Sequence, residues 1–97
     1  MAVGIWVRLE AKPGKEGALQ ELLTGAVALA NAEPQTVTWY AVKLGASTFA
    51  VFDTFAAEEG RQAHLSGPIA KALMARADEL LASQPNLEMT EILASKR

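Results

Sequence analysis

The sequence predicts an α+β fold of the ferredoxin-like type, with the order βαββαβ, a four-stranded antiparallel sheet and helices on one face of it. Three observations support this prediction. The chain starts with a segment of period-two alternation, it contains two adjacent β-rich segments around a short turn, and it has two regions with apolar residues at helical spacing. With 97 residues, it is expected to form one domain over residues 1–97.

The first strand and helix are predicted from a change of periodicity. Apolar and mixed residues alternate over residues 3–10, and Pro13-Gly14 then interrupts the strand. A helix over about residues 14–32 follows, and Glu33-Pro34 ends it. Its apolar stripe contains Leu19, Leu22, Leu23, Ala26, Val27 and Ala30.

The remaining elements follow from the same signals. Residues 36–44 and 48–55 are rich in β-branched and aromatic residues, and the turn 45–47 between them predicts a hairpin. A short helix over residues 58–66 is expected, then a longer one from Pro68 to about Ser83. A last strand is expected over residues 87–93, and Met74 and Met89 are expected to fill gaps on apolar faces.

Both faces of the predicted sheet are apolar. In the hairpin, Trp39 points to the opposite face from Tyr40, and Val51 to the opposite face from Phe52. Two helices cover one face only, so the other would be a large exposed apolar patch. We therefore expect a homodimer in which two sheets pack through these faces.

Composition excludes several classes of function. The chain has 9 basic and 11 acidic residues with no block of like charge, which argues against binding nucleic acid. It has no cysteine and one histidine, so neither a disulfide framework nor a metal site is expected. The apolar run at the N-terminus stops at Arg8, and no apolar window is long enough for a membrane span, so a cytoplasmic protein is expected. No nucleotide-binding motif is present in the sequence.

Several segments resemble the antibiotic biosynthesis monooxygenase domains of the dimeric α+β barrel superfamily, and the resemblance covers nearly the whole chain. They are residues 11–16 entering the first helix, Glu33-Pro34 leaving it, residues 49–55 as the third strand, and above all Gln62-Ala63-His64-Leu65-Ser66-Gly67-Pro68-Ile69. The resemblance implies a dimeric α+β barrel. It also implies oxidation of quinols or anthrone-like aromatics by molecular oxygen, often without metal or flavin, so no cofactor is expected.

Two positions depart from that family's pattern. Many relatives have a second histidine where this chain has Ile69, and an aromatic residue where it has Arg61. The resemblance therefore does not carry a two-histidine proton relay to this chain. A neighbouring haem-degrading branch has a tryptophan and an axial histidine where this chain has His64 and Met74, and its first-strand asparagine is missing here.

His64 is the candidate catalytic residue, because histidine is the side chain that titrates near neutral pH and can take a proton from a phenol or quinol. The alternative is that it caps the short helix or bonds the loop at Ser66. Arg8 is a candidate for stabilising an oxyanion and Asp53 for orienting His64, although either could instead lie at a strand end or in a salt bridge. The candidate aromatic wall consists of Trp6, Trp39, Tyr40 and Phe52, which could equally be core or dimer interface.

The leading hypothesis is a small, cofactor-independent monooxygenase that oxidises a quinol or polycyclic phenol, with His64 as the base. The alternative is a dimeric binding or sensing module on the same fold that holds a small aromatic or lipid-like ligand and catalyses no reaction. Ligand binding without turnover would distinguish the second from the first.

Overall fold

The computed structural model describes residues 2–96, which form four strands and three helices. In chain order they are β1 (Val3–Glu10), α1 (Glu16–Asn31), β2 (Thr36–Lys43), β3 (Thr48–Phe55), α2 (Glu58–Leu65), α3 (Pro68–Leu80) and β4 (Asn86–Glu91). The predicted fold class is confirmed. The short and long helices of the second half are separate elements, because Gly67 is extended and Pro68 begins α3 at its first turn.

The sheet is antiparallel throughout, with the strand order β2-β3-β1-β4. β1 lies in the centre beside β3, so that Ile5 is opposite Asp53, and Trp6 is opposite Phe52. β4 pairs with the other side of β1 and forms one edge of the sheet. This order places the first and third strands in the middle, as the βαββαβ arrangement requires.

The core lies between the helices and one face of the sheet. It combines inward residues of β1 and β3 with the apolar sides of α1 and α3, and Phe55, Ile5, Leu9, Leu19 and Leu80 are almost fully buried. The apolar residues of the strands and those of the helices face each other, so one layer of helices packs on one face of the sheet. Within residues 2–96, no helix is long and apolar enough to cross a membrane.

Several element ends differ from the prediction. α1 starts at Glu16 rather than near residue 14, because Gly14 has a φ of +84° and forms the turn before it. α3 ends at Leu80 rather than near Ser83, since Leu81 becomes extended and pairs with Ala11 beyond the end of β1. α2 ends at Leu65, and β4 covers residues 86–91 rather than 87–93.

Met74 and Met89 are expected to fill gaps on apolar faces, but neither is buried. Met74 is 56% exposed on α3, and Met89 is 48% exposed on β4. β4 is an edge strand, and no helix within residues 2–96 packs against it, so its inward residues stay accessible to solvent.

Candidate functional site

The site is built around His64, which lies on α2 facing the sheet. Gly60, one turn earlier on the same side of α2, is also buried, and a Cβ there would lie 3.0 Å from the Cβ and backbone oxygen of Gln35. The small residue therefore allows α2 to approach the segment between α1 and β2. That approach brings the His64 ring, which is only 9% exposed, against Phe55 with ring centroids 5.3 Å apart.

Both ring nitrogens of His64 contact carboxylates. Nδ1 lies 2.8 Å from Oε1 of Glu33, and Nε2 lies 2.9 Å from Oδ2 of Asp53. A neutral imidazole has one N–H, so hydrogen bonds to both carboxylates require the doubly protonated imidazolium. Burial lowers the pKa of His64, but the hydrogen bonds and negative charges of Asp53 and Glu33 outweigh it and raise this pKa above its ordinary value.

Each carboxylate is held in place by the fold. Asp53 is 1% exposed near the end of β3, on the face covered by helices. Glu33 follows the end of α1, and its Oε1 also accepts a hydrogen bond of 2.6 Å from the Thr36 hydroxyl at the start of β2. We name the three residues Glu33, His64 and Asp53 the carboxylate–histidine cluster.

A cavity of about 270 Å³ lies beside this cluster, between the sheet and helices α1 and α3. Its lining side chains are apolar apart from Asp53 and His64. Met74 and Leu87 belong to the lining and are themselves exposed, so they stand at its rim. An apolar chamber with a small number of buried polar groups on its wall is typical of a small-molecule site.

Comparisons of the chain with known proteins give a family and a fold. The sequence matches no protein-family model and no curated protein. The solved NE2512 protein of Nitrosomonas europaea, whose function is unknown, is 58% identical, with 99% of this chain and 93% of that chain covered and a TM-score of 0.97. The chain belongs to the NE2512 family.

Structures of lower sequence identity share the fold of this chain. Rv0793 of Mycobacterium tuberculosis is 17% identical over 100% of both chains, with a TM-score of 0.87. A protein of Nitrosomonas europaea provisionally named an antibiotic biosynthesis monooxygenase is 15% identical over 95% of this chain and 90% of that chain, with a TM-score of 0.83. The chain thus has the fold of the antibiotic biosynthesis monooxygenase-like proteins, which the sequence resemblance implied.

The structure brings together only some of the residues singled out from the sequence. Asp53 contacts His64, as the orienting role requires, and His64 bonds these carboxylates rather than the loop at Ser66. Trp39 lies on the helix side, packed against Ala26, Ala30 and Ile69, beside the cavity rather than in its lining.

The other predicted site residues lie on the opposite face of the sheet. Tyr40, Phe52 and Trp6 form one row across β2, β3 and β1, and the Trp6 and Phe52 ring centroids are 6.4 Å apart. Arg8 is exposed in the next row, opposite Ala50. A pocket between the sheet and the helices that includes His64 therefore cannot include these four side chains; among residues 2–96, aliphatic side chains line it instead.

Glu33 is the site residue that sequence reasoning missed. In the sequence, Glu33 and Pro34 indicate only the end of the first helix, 31 positions before His64. The topology offered a signal, because the start of β2 pairs with the end of β3, and α2 leaves from that same end. A carboxylate just before β2 is therefore close to a histidine on the following helix.

Proposed function

We propose that this protein is a small monooxygenase that oxidises a quinol or phenol with molecular oxygen, without a cofactor, in the cavity beside the carboxylate–histidine cluster. The observation that carries the proposal is the combination of an apolar chamber with a buried, charged cluster on one wall. The apolar wall would hold a ring and exclude water, and the cluster would handle the hydroxyl proton.

The size of the cavity favours a small substrate. Its volume of about 270 Å³ lies just below the roughly 300–1,000 Å³ of pockets for drug-sized ligands. A ligand of one or two rings suits this space better than a larger polycyclic phenol. Among the substrate classes that the sequence resemblance implied, a simple quinol is therefore favoured.

The overall reaction needs no external reductant. One quinol and one O2 give one hydroxyquinone and one water, so the substrate supplies all four electrons that reduce the oxygen. One oxygen atom enters the ring and the other leaves as water. The role of the protein in this reaction is to orient the quinol, remove its proton and shield the radical pair from solvent.

Oxygen uptake by chelator-treated protein, with the spontaneous oxidation of each quinol subtracted, tests the proposal. We expect saturable uptake with one- and two-ring quinols. Ala72→Leu, which fills the cavity from α3, should lower kcat/KM by at least about tenfold, whereas Ala75→Leu on the exposed side of α3 should not. Absence of uptake above the spontaneous rate across a panel of such quinols would contradict the proposal.

A second candidate function is a binding module that catalyses no reaction. It is favoured by one observation: both nitrogens of His64 face carboxylates, so neither is free to take a substrate proton. This candidate predicts that the same quinols bind with the same dependence on Ala72, while oxygen uptake stays at the spontaneous rate.

We further propose that the protein is a homodimer whose sheets pack through their outer faces. Support comes from the row of Tyr40, Phe52 and Trp6, which no helix covers and in which Tyr40 is 57% exposed. Arg8 and Glu88 flank Trp6 on the same face, so a two-fold axis could place opposite charges against each other.

Sedimentation equilibrium at micromolar concentration tests this arrangement. Phe52→Glu would bury a charge in the interface and should shift the protein to monomers. Val27→Glu, which adds the same charge to an exposed position on α1, should leave the dimer intact. A wild-type mass equal to one chain would refute the dimer.

A further inference from the structure

Asp53 has one carboxylate oxygen in use and one without a partner. Oδ2 bonds to His64, whereas Oδ1 is buried and, within residues 2–96, accepts no hydrogen bond. The side chain is 1% exposed and belongs to the lining of the cavity. A buried carboxylate oxygen without a donor is costly, so a donor entering the cavity would be bound strongly.

We propose that Oδ1 of Asp53 is the hydrogen-bond acceptor for the ligand's hydroxyl group, and that Asp53, rather than His64, takes the hydroxyl proton. The site would therefore select a phenol or quinol over an aromatic ring that lacks an O–H donor. This inference rests on the proposed function for the reaction, but its binding component holds whether or not the bound ligand turns over.

His64 is a positioning residue in this arrangement. Its Nε2 fixes the orientation of Asp53 through Oδ2, and its Nδ1 is held by Glu33, which is not part of the cavity lining. The imidazolium also places one positive charge between the two carboxylates, so that the buried cluster is partly neutralised. Oδ1 is thus the unpaired carboxylate oxygen of the one carboxylate in the cluster that lines the cavity.

The proton and electron leave the ligand together. The phenol transfers one electron to O2, its O–H bond breaks, and an O–H bond forms at Oδ1 of Asp53. The products are a phenoxyl radical, superoxide and a neutral Asp53 carboxyl group, so the charge of −1 is the same before and after the step. A carboxylate is basic enough for this transfer, because a phenol that has lost an electron is a strong acid.

Calorimetry without oxygen tests the binding component with 2-naphthol and 2-methoxynaphthalene, which differ in the O–H donor. In the wild-type protein, we expect 2-naphthol to bind at least about tenfold more tightly than its methyl ether, as for other hydrogen bonds to charged groups. In Asp53→Asn, the amide oxygen would face the N–H of His64 and the amide N–H would face the cavity. The ether can accept that bond, so the preference for 2-naphthol should fall by about tenfold.

Glu59→Gln is the control, because it makes the same charge change at an exposed carboxylate on α2 that does not line the cavity. We expect it to keep the wild-type preference for 2-naphthol. A carbon-13 NMR measurement on the wild-type protein does not depend on the folding of either variant. We expect 2-naphthol to shift the carboxyl resonance of Asp53 more than that of Glu33. We expect 2-methoxynaphthalene to cause no such difference between the two resonances.

These results separate the inference from the proposed function. Equal affinity of the wild-type protein for the two naphthalenes, or an unmoved Asp53 resonance with 2-naphthol bound, would overturn the role of Asp53. Retention of full oxygen uptake in a folded Asp53→Asn protein would overturn its role as proton acceptor while leaving the monooxygenase proposal intact. A wild-type protein that prefers 2-naphthol, loses this preference in Asp53→Asn and takes up no oxygen would support Asp53 as the binding group. The same result would contradict the monooxygenase proposal.

Discussion

Nε2 of His64 on α2 lies 2.9 Å from Oδ2 of Asp53, near the end of β3. On the other side of the ring, Nδ1 is bonded to Glu33, so the imidazole connects β3 with the segment between α1 and β2. The same contacts that form the candidate site therefore also hold α2 in place. Substitutions in the cluster should therefore change both the pKa of His64 and the stability of the fold.

The pKa of His64 should depend on both carboxylates. We expect NMR titration of the ring protons to give a pKa above the ordinary 6.5 in the wild-type protein. Glu33→Gln and Asp53→Asn should each lower it, because each removes one negative hydrogen-bond acceptor. A wild-type pKa below 6.5 would show that burial outweighs the two carboxylates.

Stability should fall as the pH rises through the titration of His64. Because the folded pKa of His64 is raised above the unfolded value, the folded state holds this proton more tightly. The resulting contribution is fully present below about pH 6.5 and is lost as the pH passes the folded pKa. Urea unfolding of wild type and His64→Gln at pH 6 and pH 9 measures it: the wild-type free energy of unfolding should decrease more between these values.

Gly4 should not tolerate a side chain. A Cβ at this position would lie 2.7 Å from the Thr90 hydroxyl oxygen and 2.8 Å from the backbone oxygen of Asp53. Gly4→Ala should therefore destabilise the protein by about 1–3 kcal/mol in urea unfolding. Gly25→Ala in α1, where nothing lies within 4 Å, should instead stabilise it by about 0.4–1 kcal/mol, and equal effects of the two changes would refute this account.

Arg61 should matter more for stability than an exposed arginine does. Its Nη1 donates hydrogen bonds of 3.1 Å to the backbone oxygens of Gly4 and Thr90, and its guanidinium also pairs with Glu58. Arg61→Ala would remove the donors to both carbonyl groups and should cost about 1–3 kcal/mol in thermal or urea unfolding. Arg76→Ala, which breaks an exposed pair with Glu79, should cost less than about 1 kcal/mol.

Much of the fold could be predicted because periodicity reports local geometry directly. The alternation of β1 and the helical spacing of α1 each identify a buried face without knowledge of the partner. The end of α3 could not be predicted in this way, because Leu81 leaves the helix to pair with Ala11, which is distant in sequence. Whether Leu81 continues the helix or pairs with Ala11 depends on how the chain folds as a whole.

The site was less predictable than the fold for a related reason. Alternation shows that Trp39 and Tyr40 point to opposite faces, but it does not show which face carries the cavity. His64 and Asp53 were singled out because a histidine and a buried strand charge are rare in this sequence. Glu33 gave no such signal, since a glutamate before a proline at a helix end is usual on a solvated surface.

Oxidation of a one-ring quinol under ¹⁸O2, with mass analysis of product and water, shows whether this cavity incorporates oxygen into its substrate. We predict one labelled oxygen atom in each hydroxyquinone formed by the protein and the second in water, with formation reduced by at least about tenfold in Ala72→Leu. An enzyme-dependent product without label, or no product above the spontaneous reaction, would contradict the assignment of a monooxygenase to this cavity.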